Sequence, residues 1–190
     1  MRLRHILALL LSASAVLRAT AAPETWQIDP NHSALTFKVR HFLAPVPGWF
    51  AKFSGTIIFD RTQPEASRVE ATVDIASVNT NQADRDQHLR TPDFFDTASH
   101  PTATFRSKAW KQTGPDTFEV TGDLTLRGVT REVTLRVKHL GYADGNRGAK
   151  LSGWEAVTTL RRADFGIGKP ERSIGDEVEV TIHTEAKLQK

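Results

Sequence analysis

Glu177-Val178-Glu179-Val180-Thr181-Ile182-His183-Thr184-Glu185-Ala186-Lys187 alternates at every position. Val178, Val180, Ile182, Thr184 and Ala186 fall on one side, and the charged residues with Thr181 and His183 fall on the other. Successive side chains of extended backbone point to opposite faces, so a period of two reads as a strand with one apolar and one wet face. Working outward, the same period recurs. Ser33 to Arg40 sets Leu35, Phe37 and Val39 against Thr36, Lys38 and Arg40. Ala51 to Asp60 groups Phe53, Gly55, Ile57 and Phe59, and Arg68 to Ile75 groups Val69, Ala71, Val73 and Ile75. Thr102 to Trp110 places Ala103, Phe105, Ser107 and Ala109 on one side. Phe118, Val120, Gly122, Leu124 and Leu126 share a face, as do Val133, Leu135 and Val137. Lys150 to Arg161 is long and less cleanly patterned, and Thr25 to Ile28 is a short start broken by Asp29-Pro30-Asn31. Arg127-Gly128 and Asp144-Gly145 mark turns.

About eight long strands, each greasy on one face, make an all-β chain. The pattern fits an up-and-down barrel or a two-sheet sandwich. A barrel of this size is filled by its own side chains or holds one ligand, and alternation alone does not distinguish the two. Small residues at Gly55, Ala71, Ala103 and Gly122 leave room for an apolar tunnel.

Two stretches depart from the period. The stretch from Asn81 onward reads as a short helix, with Asn81 as its cap, Asp84 three residues on and Pro92 ending or breaking it. Phe94 and Phe95 follow beside Asp93 and Asp96, as tunnel wall or as a plug under the helix. His41 to Phe50 carries two prolines and a glycine and reads as a loop, yet it is nearly all apolar. A greasy loop covers something greasy or opens onto it.

Arg2 and Arg4, the apolar run Ile6 to Val16, and Ala19-Thr20-Ala21 read as a secretory signal peptide over residues 1–21, leaving a domain over 22–190. The apolar run is too short to span a bilayer. The 25 Lys and Arg, less Arg2, Arg4 and Arg18, balance the 22 acids. A balanced domain without a dense basic run is not a nucleic-acid binder, and nothing implies stable membrane insertion. The absence of cysteine excludes disulfides, thiol catalysis and thiolate metal sites. No His-Glu-x-x-His or Gly-x-Ser-x-Gly occurs, and no histidines stand at metal-ligand spacing. Asp84, Asp86, Asp93 and Asp96 read as helix caps and partners of Arg85 or Arg90 rather than as acid–base pairs. The expectation is a protein without catalytic, metal or cofactor chemistry.

Arg85-Asp86-x-His88-Leu89-Arg90-x-x-Asp93-Phe94-Phe95-Asp96, followed by His100-Pro101-Thr102-Ala103-Thr104-Phe105, resembles the signature of the YceI-like family. Trp26-x-Ile28-Asp29-x-x-His32-Ser33, Phe37-x-Val39-x-His41, Gly48-x-Phe50, Phe53-x-Gly55, Gly122-x-Leu124-Thr125-Leu126-x-Gly128, Asp164-Phe165-Gly166 and Gly175-Asp176-x-Val178 follow in the family's order. The resemblance implies an eight-stranded antiparallel lipocalin-like β-barrel with a short helical insertion, exported to the periplasm. It implies a long-chain isoprenoid lipid such as a quinone or polyprenyl compound held in the interior, and no catalysis; a homodimer is compatible with it. The candidate ligand-binding residues are Phe37, Val39, Phe53, Ile57, Phe105 and Leu124 on strand faces, Phe50 at the end of the apolar loop, Leu89, Phe94, Phe95 and Phe165 beyond them, and Arg40 and His41 as head-group donors. The alternative is a filled barrel serving as a protein-interaction or inhibitor module without a lipid. Leu43 to Trp49 departs from the resemblance, being longer and richer in proline than a short polar loop.

Overall fold

The alternating stretches become strands of one continuous antiparallel sheet in a computed structural model that describes residues 22–189. The expected leader, 1–21, lies outside the described residues. In chain order the strands are β1 (Glu24–Ile28), β2 (Ala34–His41), β3 (Ala44–Phe50), β4 (Phe53–Phe59), β5 (Arg68–Asp74), β6 (Val78–Asn79), β7 (Thr102–Gly114), β8 (Thr117–Leu126), β9 (Val129–Asp144), β10 (Lys150–Arg161) and β11 (Ile174–Leu188), with helix α1 (Ala83–Leu89) between β6 and β7.

The sheet runs β1-β4-β5-β7-β8-β9-β10-β11 and closes where β11 pairs back onto β1. β11 also pairs with β2, and β3 pairs with β2 as β4 does with β1. β1 and β2 therefore fill one strand position, and β3 and β4 another. The result is a closed eight-stranded up-and-down barrel whose one open edge among the described residues is the outer half of β3, Ala44 to Gly48.

The segment Ala44–Phe50 is a strand, not a loop. Pro45 and Pro47 lie opposite Arg40 and Lys38 and alternate with Ala44, Val46 and Gly48. Their missing N–H groups fall on the side away from β2, where β3 has a partner only at Trp49 and Phe50. Proline density at an edge is compatible with a strand, which the loop reading overlooked.

A bulge between Ser107 and Ala109 in β7 advances the face by one residue, so Trp110 rather than Ala109 enters the interior and is 4% exposed. A second irregularity, between Gly153 and Trp154, sets Trp154 opposite His139. The extra residue of this second irregularity is Leu140 of β9, whereas Trp154 enters through the unbroken alternation of Ser152, Trp154 and Ala156; the β7 bulge alone delivers a core ring to this end of the barrel. There Trp26, Phe59, Trp110, Phe118 and Trp154 pack as the main core. Phe59 meets Trp154 edge-on at 4.9 Å and Phe118 at 5.7 Å, geometry that adds about 0.5–1.5 kcal/mol per pair beyond burial.

Helix α1 is capped by Gln82, whose side chain accepts from the Arg85 N–H, and not by Asn81, which takes φ +60°. Its acid Asp86 is buried and pairs with Thr80, accepting from its N–H (2.8 Å) and hydroxyl (2.5 Å), rather than with an arginine. Arg85 donates to the Thr80 hydroxyl and carbonyl, and Arg90 to the carbonyls of Ala76 and Val78. The charges of this stretch clamp a seven-residue helix, too short to persist alone, onto β6.

The barrel seam crosses the break between β1 and β2. Asp29 is 6% exposed. Its carboxylate accepts from Lys187 Nζ (2.6 Å), His32 Nδ1 (2.8 Å) and the Asn31 N–H (3.1 Å). The Lys187 and His32 donors hold the Asp29 carboxyl well below the usual carboxylate range. A folded-state pKa below the unfolded value of about 3.9 stabilises the protein above that pH and loses its effect as the pH falls through the acid range. Asp29→Asn is expected to cost roughly 1–3 kcal/mol at neutral pH. Urea titrations of both proteins from pH 7 down to pH 2 should show the difference shrinking below about pH 4.

Candidate apolar binding cavity

The inward faces of the strands do not meet. Phe37, Val39, Phe50, Phe53, Phe105, Leu124, Leu135, Val180 and Ile182 all point into the barrel, yet each remains only partly buried. What they face is a cavity of about 640 Å³, within the size of small-molecule pockets. The barrel is therefore not filled by its own side chains.

The cavity is graded along its length. Its floor is the aromatic core, represented in the lining by Trp110 and Trp154. Beside them His139 is 7% exposed and its Nε2 lies 3.1 Å from Ser152 Oγ. Burial pushes the His139 imidazole below its ordinary range, which keeps the floor uncharged at neutral pH. The shaft is lined by Val, Ile, Leu, Phe and Ala, including Ala71 and Ala103, with threonines 158 and 184 among them. At the far end the lining turns polar, and His41, Arg85, His88 and Glu171 there are exposed. That end is the mouth.

Two glycines widen the shaft. A Cβ on Gly48 would lie 2.3 Å from Phe37 Cζ, and one on Gly122 would lie 2.6 Å from Phe105 Cζ. Each ring lies over the bare backbone of the neighbouring strand instead of projecting across the lumen. Gly55 works differently, because Ile28 Cδ1 and the Glu70 carbonyl occupy its space.

The mouth is assembled from three segments. The stretch after α1 brings Phe95 against Phe50 (5.9 Å, edge-on) and Phe94 against His88 (4.9 Å). The connection from β10 to β11 supplies Phe165 and Ile167, both buried. Arg127, at the β8–β9 turn, donates to the carbonyls of Pro92 (2.6 Å) and Gly166 and ties those two segments together. The turn itself needs positive φ at Arg127 and Gly128, and at Gly128 a Cβ would meet the His100 ring. Arg162, 7% exposed, donates to the carbonyls of Ile167 (2.8 Å), Gly175 (2.9 Å), Lys169 (3.1 Å) and Ile174 (3.3 Å). A single guanidinium thus satisfies four acceptors of an irregular segment. The β2–β3 hairpin, with His41 and Val46, completes the rim.

Twelve of the residues singled out in the sequence line this cavity: Phe37, Val39, His41, Phe50, Phe53, Ile57, Leu89, Phe94, Phe95, Phe105, Leu124 and Phe165. Arg40 does not. It lies on the outer face beside Lys38, and its Nη1 donates to the Phe42 carbonyl (2.6 Å), because alternation that turns Val39 inward turns Arg40 out. Trp110, Trp154 and Arg162 were missed. A bulge hid Trp110, the weak patterning of β10 hid Trp154, and an arginine reads as surface. Val180 and Ile182 were legible in the strict alternation of β11.

Metal chemistry has one candidate among the described residues, Asp29, His32 and Glu185, whose ligand atoms lie within 4.8 Å of one another. The Lys187 ammonium on Asp29 already supplies the positive charge there. The set is a hydrogen-bonded ion network on the seam, remote from the mouth.

Comparison with known proteins gives a consistent result. The model of the YceI-like domain matches residues 26–186. A UPF0312 protein of Azotobacter vinelandii is 39% identical over 191 residues, covering 98% of this chain and all of the relative. The crystal structure of Burkholderia cenocepacia BcnA superposes with a TM-score of 0.77 at 26% identity, covering 83% of this chain and 98% of BcnA. A polyisoprenoid binding domain from Saccharophagus degradans, implicated in plant cell wall breakdown, shares the fold with a TM-score of 0.66 at 19% identity, covering 86% of this chain and 98% of that domain.

The glycine cradles are open to test. In Gly48→Ala the new methyl displaces the Phe37 ring into the lumen. Overpacking of this kind costs about 1–3 kcal/mol, so titration with an apolar fluorescent probe should show affinity lower by about tenfold while the barrel still melts cooperatively.

Proposed function

The chain belongs to the YceI-like family, and from that premise and its hollow apolar barrel we propose that it is a periplasmic binding protein that carries a polyisoprenoid or a similar long-chain amphiphile, a quinone or polyprenyl compound. One observation carries the reading: apolar side chains that face inward remain partly exposed around a cavity of about 640 Å³. Leaving such surface to water is unfavourable, and each methylene group that covers it contributes about 0.8 kcal/mol. A long aliphatic chain reaches useful affinity with few polar contacts, after the losses of ordering it. The gradient from aromatic floor to polar rim suits a molecule with its tail inside and its head group at the mouth. His41, Arg85 and His88 are the rim donors, and Phe37, Phe50, Phe53, Phe105 and Leu124 hold the tail. The binding named for the Saccharophagus degradans domain agrees with this reading.

A binding role rather than catalysis also agrees with the use of the charged groups. Asp86 is spent on Thr80, and Arg85 and Arg90 donate to backbone carbonyls or to Thr80. The alternative of an interaction module without a lipid requires a filled interior.

Protein purified without detergent should release a lipid in about stoichiometric amount into an organic extract, read by mass spectrometry. A clean extract together with no uptake of a prenyl quinone by the purified protein would sink the proposal. Ala103 lies in the shaft and is 5% exposed. Ala103→Phe is expected to reduce the extracted lipid to a trace while leaving a cooperative thermal transition, checked by the same extraction and by circular dichroism.

A further inference from the structure

We propose that the β2–β3 hairpin tip, Phe42-Leu43, is a reversible anchor for an anionic phospholipid bilayer, which seats the cavity mouth on the membrane. The inference rests on the reading of the cavity as a lipid carrier and names the surface it loads from.

The tip is a two-residue turn closed by the pair His41 and Ala44. Leu43 is 97% exposed and Phe42 62% exposed. Phe42 takes φ +49°, a conformation that hairpins ordinarily assign to Gly or Asn because a Cβ is strained there. A bulky apolar residue held in that region points to function rather than to turn formation. The turn is also braced. The Phe42 N–H donates to the Ser173 carbonyl (2.7 Å), and its own carbonyl accepts from Arg40 (2.6 Å). The two apolar side chains are thus presented on a rigid support.

Two further observations select a bilayer as the occupant. The tip is continuous with the mouth: the Phe42 ring packs edge-on against His41 at 4.9 Å, and His41 lines the cavity. A chain leaving a bilayer at the tip meets the rim directly. The charge around the tip is positive. Arg40 and, beside Ser173, Lys169 and Arg172 are exposed, against the single acid Glu171 in that segment. Among the described residues none of these three cations is in an ion pair. Apolar side chains flanked by unpaired cations suit an anionic interface, where burial and charge attraction add. Among the described residues no helix is long and apolar enough to cross a membrane.

The test uses the purified protein and vesicles of phosphatidylcholine with phosphatidylglycerol. Wild-type protein should co-sediment with them at low salt and release at high salt. Leu43→Glu should partition at least about tenfold less, while loading a prenyl quinone from detergent micelles as well as wild type does. The chain has no cysteine, so Leu43→Cys carries a single environment-sensitive dye. Its emission should shift to the blue with anionic vesicles, independently of any fold defect in the glutamate variant. Wild type remaining in the supernatant, or Leu43→Glu sedimenting like wild type, overturns the anchor. A wild-type dimer that Leu43→Glu dissociates, without vesicle binding, also overturns it and assigns the tip to self-association. Vesicle binding without any micelle loading upholds the anchor and removes the carrier reading instead.

Discussion

The barrel depends on how one strand position passes a proline. β11 must bond continuously to its neighbour for the sheet to close, but that neighbour breaks at Pro30, which has no N–H to give and starts a 3-10 turn. The gap is filled by one backbone bond and one hydroxyl side chain. The Asp29 N–H reaches the Glu185 carbonyl (2.9 Å), and Ser33 Oγ both accepts from the Glu185 N–H (3.1 Å) and lies 3.3 Å from its carbonyl. Lys187 and His32 then compensate the buried Asp29 carboxylate. Every part of this repair lies in Asp29–Ser33 or on the facing run of β11. The kink also lets β1 pair with β4 at the floor while β2 and β3 rise together to the mouth.

The two ends of the barrel solve opposite problems. The floor is packed with large rings, one of which, Trp110, is turned inward by a β-bulge, and this gives the molecule its core without using the whole interior. The mouth is irregular backbone, which needs hydrogen-bond partners away from any ladder. Arg127 and Arg162 provide them by donating to carbonyls. Stability is therefore concentrated away from the cavity, and the shaft between the ends can stay empty. The glycines at 48 and 122 serve the same end by letting aromatic rings lie against the wall.

The helical stretch after β6 shows how charge can mislead a reader of sequence. Its acids and arginines resemble an active site in composition. In the fold Asp86, Arg85 and Arg90 turn toward backbone and Thr80, and what the stretch presents to the lumen is Leu89, Phe94 and Phe95 with the exposed rim groups Arg85 and His88. A short helix needs polar clamps because it lacks the length to hold itself. Its apolar residues are then free to line the cavity.

Alternation by itself determined that this chain is a set of antiparallel strands with one apolar face, because a period of two has no other use for so many inward valines, leucines and phenylalanines. It therefore named most of the cavity wall, and the motif around residues 85–105 named the family. Register was not legible. The bulge at Ser107–Ala109 exchanges Ala109 for Trp110, and no local residue announces it. The prolines of β3 argued for a loop because sequence does not reveal which N–H groups a neighbouring strand leaves unclaimed. Whether the interior is full or empty was beyond the sequence as well. Hollowness is a property of how far facing walls stand apart, and that distance follows from the closure of eight strand positions. The tertiary structure decided it, along with the outward turn of Arg40 and the inward burial of Arg162.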